Sequence, residues 1–142
     1  MPGGGAATIH DTAPGDFPHQ YFAWFDDERA RPPAATRRPE LWERALELRA
    51  TAMPEYRATF IHRDFHPGNV LWLRGRCSGV VDWANACRGP AGCDVATCRA
   101  DLIRLCGVEV AEAFRHAYEA TTGAAHHPYW DLVRVLQHGP SP

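Results

Sequence analysis

Apolar residues recur at helical spacing in the segment that begins at Pro39. Proline is favoured in the first turn of a helix, and Glu40 and Glu43 lie where the helix dipole favours acidic side chains. The apolar stripe consists of Leu41, Ala45, Leu48 and Ala52. The pattern predicts a helix that begins at Pro39, ends before Pro54 and packs its stripe against residues 62–69.

The middle of the chain is typical of strands. Residues 58–62 are apolar and bounded by turn formers, which predicts a buried strand that leads into a polar loop. Two further apolar runs, 70–73 and 78–82, flank a short turn that contains Gly75, and this pattern predicts a β-hairpin. The hairpin would bring its last residue, Asp82, back beside the end of the polar loop.

The C-terminal part of the chain favours helices, each with a recognisable boundary. The expected helices are 91–106 closed by Gly107, 110–122 closed by Gly123, and about 128–137 with Pro128 at its start. The predicted fold class is therefore α+β and mainly helical, with a small hairpin.

The N-terminal part shows little periodicity. Residues 1–38 are predicted to be an irregular lead-in, with Gly3-Gly4-Gly5 as a flexible triplet, and residues 39–142 to be the folded domain. The lead-in contains an aromatic cluster that we expect to cover part of the core. This cluster consists of Tyr21, Phe22, Trp24 and Phe25.

Composition and charge narrow the class of protein. With 142 residues, 45% of them hydrophobic and 23% charged, the chain has the composition of one globular domain. A net charge of -2 and a pI near 6.4 give no electrostatic footprint for nucleic acid. No apolar run predicts a membrane span, and the first residues lack a signal-peptide pattern, so we expect a cytoplasmic protein.

Five cysteines occur without a CxxC pair among them. They are Cys77, Cys87, Cys93, Cys98 and Cys106. In a reducing compartment free cysteine packs as a small hydrophobe, so buried structural thiols are favoured over a zinc site.

Residues 62–69, His-Arg-Asp-Phe-His-Pro-Gly-Asn, contain the candidate chemistry. The spacing of Asp64 and Asn69 matches a phosphoryl-transfer catalytic loop, and Asp82 follows at the end of the predicted hairpin. Such a reaction needs a residue that accepts or orients the substrate hydroxyl, and oxygen ligands for Mg²⁺. Asp64 suits the first role, while Asn69 and Asp82 suit the second.

Two alternatives remain open at this stage. His62, Asp64 and His66 alternate, so on an extended strand they would share one face and could bind a transition metal for hydrolysis. That interpretation leaves Asn69 and Asp82 without a role. The other alternative is a binding or remnant module that keeps the fold and lacks the chemistry.

Three segments resemble one known family. HRDFHPGNVL at 62–71, GVVDW at 79–83 and GPAGCDVA at 89–96 are similar to the aminoglycoside phosphotransferase and choline kinase group of the kinase-like fold. The resemblance spans about residues 55–137 and implies the C-terminal lobe of that fold. It implies an ATP-dependent O-phosphotransferase that uses Mg²⁺ and acts on a small-molecule alcohol.

The resemblance also assigns roles to individual residues. Asp64 would be the catalytic base, and Asn69 and Asp82 the magnesium ligands. His62 and His66 would shape the loop, and Asp94 would brace it from the following helix. The local alternative for Asp94 is a first-turn carboxylate that accepts from free N–H groups of its own helix. Arg63 stands where many family members carry glycine.

One departure from the family concerns the nucleotide. Family members carry an N-terminal lobe whose strands hold ATP and whose lysine contacts the phosphates. All 15 Lys+Arg residues of this chain are arginine, and no GxGxxG precedes His62. We therefore expect a C-terminal lobe with weak or absent catalysis alone, and self-association through the face that an N-terminal lobe would cover.

The sequence predicts the alcohol that would receive the phosphoryl group less precisely than it predicts the reaction. Acidic side chains could line a pocket for a cationic alcohol, or they could simply be solvated; they are Asp26, Asp27, Glu28, Glu109, Glu112, Glu119 and Asp131. Tyr118, Tyr129 and Trp130 could line the same pocket or belong to the core, which their helical spacing favours.

Overall fold

The computed structural model describes residues 3–25, 31–34 and 36–137. In chain order the elements are α1 (Gly3–Asp11), α2 (Pro39–Thr51), β1 (Ala58–Ile61), β2 (Val70–Leu73), β3 (Arg76–Val80), β4 (Cys87–Pro90), α3 (Gly92–Cys106), α4 (Val108–Thr122) and α5 (Pro128–Gln137). The fold is α+β and mainly helical, as predicted. None of the helices in these ranges is long and apolar enough to cross a bilayer.

The core lies where α1, α3 and α4 meet the loop that follows β1. Its buried residues include Ala6, Ala7, Ile9, Phe65, Val70, Val95, Cys98, Leu102, Ala111, Phe114 and Tyr118. A smaller cluster joins α3 to α5 and contains Ala96, Tyr129, Trp130 and Val133. Tyr118, Tyr129 and Trp130 are therefore core residues, in agreement with their helical spacing.

Helix α1 corrects the prediction for the N-terminal part of the chain. Residues 1–38 were expected to be irregular, yet Gly3–Asp11 are helical and bury Ala6 and Ile9 in the main core. Glycine weakens intrinsic helix propensity, so the glycine triplet obscured the helix. Packing against α4 supplies the stability that the local sequence lacks. Asp26, Asp27 and Glu28, which were named as candidate acidic residues of a substrate pocket, lie outside the described residues.

Helix α2 has the predicted start and end but a different neighbour. It was expected to pack against residues 62–69, and instead it contacts α5. None of its residues is buried, and Leu41 is 54% exposed. The reason is that α1 and α3 already occupy the inner side of the 62–69 loop, which leaves α2 on the outside.

The strands form two antiparallel pairs. β2 and β3 form the predicted hairpin, but its second strand is Arg76–Val80 and not 78–82, so Asp82 follows the strand. The two-residue turn, Arg74 and Gly75, has positive φ angles of 52° and 74°. Two such residues are typical of the turn whose twist matches a hairpin. β1 is the predicted buried strand and pairs with β4, which was not predicted because it contains glycine and proline.

A close approach between α3 and α5 leads to a stability prediction. A Cβ atom on Gly92 would lie 2.1 Å from Trp130 Cδ1, whereas one on Gly4 in α1 would meet nothing within 4 Å. We expect Gly92→Ala to lower the free energy of unfolding in urea by about 1–3 kcal/mol. The control Gly4→Ala should leave it unchanged or raise it by up to about 1 kcal/mol. Equal effects of the two substitutions would contradict this packing.

Candidate active site

The 62–69 loop alternates between the core and the surface. Phe65 is fully buried, whereas the side chain of Asp64 is 37% exposed and that of His66 is 28% exposed. The loop ends in a 3₁₀ turn, Pro67–Asn69, in which His66 Nδ1 accepts from the Gly68 N–H at 3.1 Å. The buried phenyl ring therefore anchors a loop whose neighbouring polar groups face outward.

Asn69 is held against Asp64. Its Nδ2 donates to the backbone oxygen of Asp64 at 2.9 Å and lies 3.4 Å from Asp64 Oδ2. The amide nitrogen is thus committed to Asp64. The Asn69 Oδ1 atom makes no hydrogen bond to any described residue, which leaves it able to act as a ligand.

The hairpin brings Asp82 back to this loop. The N–H of Val81 donates to the backbone oxygen of Asn69 at 2.9 Å, so the residue before Asp82 is tied directly to Asn69. Asp82 has a φ angle of 65°, and its exposed carboxylate makes no hydrogen bond or ion pair within the described ranges. A left-handed backbone at a non-glycine residue is costly, and such residues cluster at functional sites.

The donor atoms at this corner fit magnesium. Mg²⁺ takes hard oxygen ligands and is usually held by one or two carboxylates together with phosphate oxygens. Asn69 Oδ1 and the Asp82 carboxylate are donors of that kind. Among the described residues no group of three or more His, Cys, Asp or Glu side chains is placed to hold a metal ion, so phosphate oxygens and water would have to complete the shell.

His62 links the loop to the hairpin instead of facing the site. Its Nε2 donates to the Val81 carbonyl oxygen at 2.8 Å. Its Nδ1 accepts from the backbone N–H of Asp64, with 3.3 Å between the two nitrogens. The ring is fully buried beneath Trp83, with ring centroids 4.5 Å apart. Because both ring nitrogens are occupied, His62 is not brought together with Asp64 and His66 as the ligand set of the hydrolase alternative.

Asp94 contacts the loop from the first turn of α3. It is fully buried, and its Oδ1 and Oδ2 accept from the backbone N–H groups of Arg63 and His62 at 2.6 and 2.7 Å. The carboxylate therefore serves the loop and not the free N–H groups of its own helix. His10 Nε2 lies 3.0 Å from Asp94 Oδ2, and His10 Nδ1 lies 2.8 Å from the Tyr118 hydroxyl.

Arg63 has the backbone conformation of a glycine. Its φ angle is 72°, in the left-handed region that glycine adopts without steric cost. Its guanidinium group donates to the Phe22 carbonyl and lies 3.7 Å from the ring centroid of Trp24 and 4.9 Å from that of Tyr21. These contacts offset the cost of the left-handed backbone and fasten residues 21–24 over the loop.

Charged residues around Asp64 include two that the sequence did not indicate. His66 Nε2 lies 3.7 Å from Asp64 Oδ2, and His66 Nδ1 lies 3.9 Å from Asp101 Oδ2. Arg134 of α5 is close enough to interact with both carboxylates; burial lowers its pKa and their charges oppose that change. Asp101 and Arg134 have helical surface spacing, so nothing local distinguished them from solvated residues.

Three of the four helical carboxylates named as candidates for an acidic pocket are paired with arginine; they are Glu112, Glu119 and Asp131. Arg99 binds Glu112 and Asp131 at 2.8 and 3.2 Å, and Arg115 binds Glu112 and Glu119. Hydrogen bonds from Arg99 and Arg115 lower the pKa of Glu112 to about 2. Arg99 therefore joins α3 to α4 through Glu112 and to α5 through Asp131, whereas the Arg115 pairs lie within α4.

The cysteines divide into two groups. Cys87 and Cys98 are buried, Cys77 and Cys93 are partly buried, and burial raises the pKa of Cys93 and of Cys98 to about 12. Those four are packing residues, as expected. Cys106 is exposed at the end of α3, so the expectation of a buried thiol is wrong there.

Comparison with known families decides the affiliation. The model of a family described as "Phosphotransferase enzyme family" matches residues 3–136. The chain belongs to this family. No curated protein matches it. Among solved structures it is similar to one titled "Crystal structure of aminoglycoside-3'-phosphotransferase of type VIII", with a TM-score of 0.66 and 18% identity. The match covers 95% of this phosphotransferase-family chain and 57% of that one, and at this identity it shows the kinase-like fold.

Two substitutions at Arg63 separate its backbone conformation from its side-chain contacts. Both Arg63→Ala and Arg63→Gly lose the contacts with the aromatic residues, but only glycine relieves the left-handed backbone. We expect the alanine variant to be less stable than the glycine variant by about 1 kcal/mol in urea unfolding.

Arg76 supplies the matched control, because it is an exposed strand residue outside the left-handed region. At Arg76 the alanine variant should be more stable than the glycine variant, because glycine weakens a strand. The same order at both positions would show that the backbone of Arg63 is not strained.

Proposed function

We propose that the chain carries the catalytic loop of an ATP-dependent O-phosphotransferase that acts on the hydroxyl group of a small molecule. The observation that carries the proposal is the arrangement of Asp64, Asn69 and Asp82. Asn69 is bonded to Asp64 through its nitrogen, and its backbone oxygen is bonded to the residue before Asp82. Asn69 therefore joins the candidate base, through its side chain, to the segment that carries Asp82, through its backbone oxygen.

Each residue has a chemical role in this proposal. Asp64 would accept the proton of the acceptor hydroxyl while the hydroxyl oxygen bonds to the γ-phosphorus of ATP and the bond from that phosphorus to the leaving ADP breaks. Asn69 Nδ2 holds Asp64 in place, while Asn69 Oδ1 and Asp82 would hold Mg²⁺. When bound, the ion neutralises negative charge on the phosphate oxygens. Family membership supports phosphoryl transfer, and the oxygen donors support magnesium.

The charge around Asp64 bears on the acceptor. His66, Asp101 and Arg134 place both signs of charge near the Asp64 carboxylate. A strongly cationic acceptor would meet Arg134 as well as the carboxylates. This mixture favours a polar acceptor whose hydroxyl is presented by hydrogen bonds over one held by a purely acidic pocket.

Binding of nucleotide with magnesium tests the proposal. In thermal unfolding of the 142-residue protein, ATP and Mg²⁺ together should raise Tm by a few degrees, which corresponds to about 1.4 kcal/mol at ten times Kd. ATP without Mg²⁺ should have a smaller effect. Asp82→Asn should abolish the difference between the Tm shift with ATP and Mg²⁺ and the shift with ATP alone. The control Asp16→Asn, in an exposed turn distant from Asp82 in sequence, should retain that difference. A magnesium-independent shift, or one that survives Asp82→Asn, would sink the metal assignment.

A phosphotransfer assay on the same protein distinguishes an enzyme from a binding module. Because the 142 residues contain no lysine to contact the phosphates, turnover should fall at least about a hundredfold below the 1–100 per second of ordinary kinases. Asp64→Asn should remove whatever turnover remains. Nucleotide binding with no turnover above that of Asp64→Asn would favour the binding module, and turnover at ordinary rates would contradict the expected weakness.

We also propose that the protein associates with itself through apolar side chains near this site. Phe22 is 62% exposed, Leu73 at the hairpin tip is 64% exposed, and Trp24, Leu71 and Trp72 are exposed as well. Exposed apolar surface of this kind promotes association. Sedimentation velocity should show oligomers that increase with concentration, and fewer of them in Leu73→Ser. A monomer at all concentrations would exclude this association.

A further inference from the structure

We infer that a cavity outside the candidate active site binds a small organic ammonium ion with an aromatic body. The cavity encloses about 840 Å³ between α1, residues 54–57 and the turn that joins α4 to α5. That volume lies in the range of about 300–1,000 Å³ in which proteins hold small molecules. None of its lining residues belongs to the 62–69 loop or to the β2–β3 hairpin, so the inference goes beyond the proposed function and does not depend on it.

The charged side chains that line the cavity are unpaired and mostly acidic. Asp11 and Glu55 are exposed, and neither carboxylate makes a hydrogen bond or ion pair within the part of the chain that the structure describes. Arg57 supplies the one guanidinium group among the described lining residues. Two carboxylates against one guanidinium leave a negative balance, which attracts a cation and which an ammonium group would neutralise.

Two helix ends make the cavity more negative. The last residues of α1 and α4, Asp11 and Thr122, both line it. The C-terminal end of a helix carries partial negative charge, so a cation is favoured there and an aspartate is not. Asp11 therefore lies where its own helix opposes its charge, and α4 has no basic residue in its last turn. The start of α3 forms another wall, but Asp94 in its first turn offsets the positive end of that helix.

His126 contributes a buried nitrogen without a partner at the wall of the cavity. Its side chain is 2% exposed, and Nε2 lies 3.0 Å from Asp131 Oδ1, which favours the ring proton on Nε2. Nδ1 is then an acceptor, and it has no hydrogen-bond partner among the described residues. An unsatisfied buried nitrogen is costly, and the N–H of a ligand in the cavity would supply the missing donor.

Two aromatic residues provide an apolar part of the wall. Tyr56 and Trp130 both line the cavity, and their rings meet edge to face with centroids 5.8 Å apart. Trp130 is fixed in the smaller core cluster, whereas Tyr56 is 43% exposed. Aromatic rings attract organic cations and pack well against other rings. Together with the carboxylates, they favour an ammonium group on an aromatic body over a bare inorganic cation.

Three indole compounds that differ in charge test the ligand class. Tryptamine, N-acetyltryptamine and indole-3-propionate have a positive, a neutral and a negative side chain, respectively. In ¹⁵N NMR titrations of the 142-residue protein at neutral pH, tryptamine should bind with a Kd of about 1 mM, as its size leads us to expect. The other two compounds should bind at least about fivefold more weakly, because they lack the cation. Amides of residues 54–57 and 121–127 and the Nδ1 signal of His126 should shift, whereas amides of residues 62–69 should not.

Substitutions of the charged lining residues test the site itself. Asp11→Asn and Glu55→Gln should each weaken tryptamine binding by about two- to fivefold, because each removes one exposed attraction. Arg57→Gln should strengthen binding by a similar factor, because it removes a repulsion. Asp16→Asn is the matched control, since Asp16 is an exposed aspartate that does not line the cavity. All four positions are exposed, so these substitutions leave the core intact.

Several results would overturn the inference. One is binding of N-acetyltryptamine or indole-3-propionate as tight as that of tryptamine, and another is a set of shifted amides centred on residues 62–69. A third is the absence of any shift at tryptamine concentrations about ten times the expected Kd. The fourth is that Asp11→Asn and Glu55→Gln weaken binding no more than Asp16→Asn does.

Discussion

The buried carboxylate of Asp94 is the interaction on which the candidate site depends. A carboxyl group buried away from water needs hydrogen-bond partners, and here they come from α1 and from the start of the 62–69 loop. Helix α3 places this group at the centre of the molecule, so the loop and α1 must both approach α3. The same requirement therefore organises the core and orients the candidate base.

Sequence reasoning succeeded where a local signal coincided with a structural boundary. Gly107 and Gly123 mark the ends of α3 and α4, and Gly75 marks the hairpin turn. It failed for α1, whose glycines have poor helix propensity and whose stability comes from burial against distant residues. It also failed for the packing of α2, because a stripe of apolar residues indicates a face and does not identify its neighbour.

In the candidate site, too, sequence reasoning found the residues that are close in sequence and missed those that are distant. Asp64, Asn69 and Asp82 lie in one loop and the hairpin that follows, so their spacing was enough to bring them together. His10 precedes Asp94 by 84 positions, and no short-range pattern connects the two. The glycine preference at Arg63 was visible in the family resemblance, but its cause, a positive φ angle, required the backbone.

The buried phenyl ring of Phe65 has a further consequence for the dynamics of the loop. Phe65 lies between Asp64 and His66 and packs in the main core, so neither polar residue can swing far unless that core opens. Opening a core is a cooperative event with a free energy close to that of global unfolding. The loop is therefore a rigid part of the fold and not a mobile flap, and any closure over a substrate would have to come from other segments.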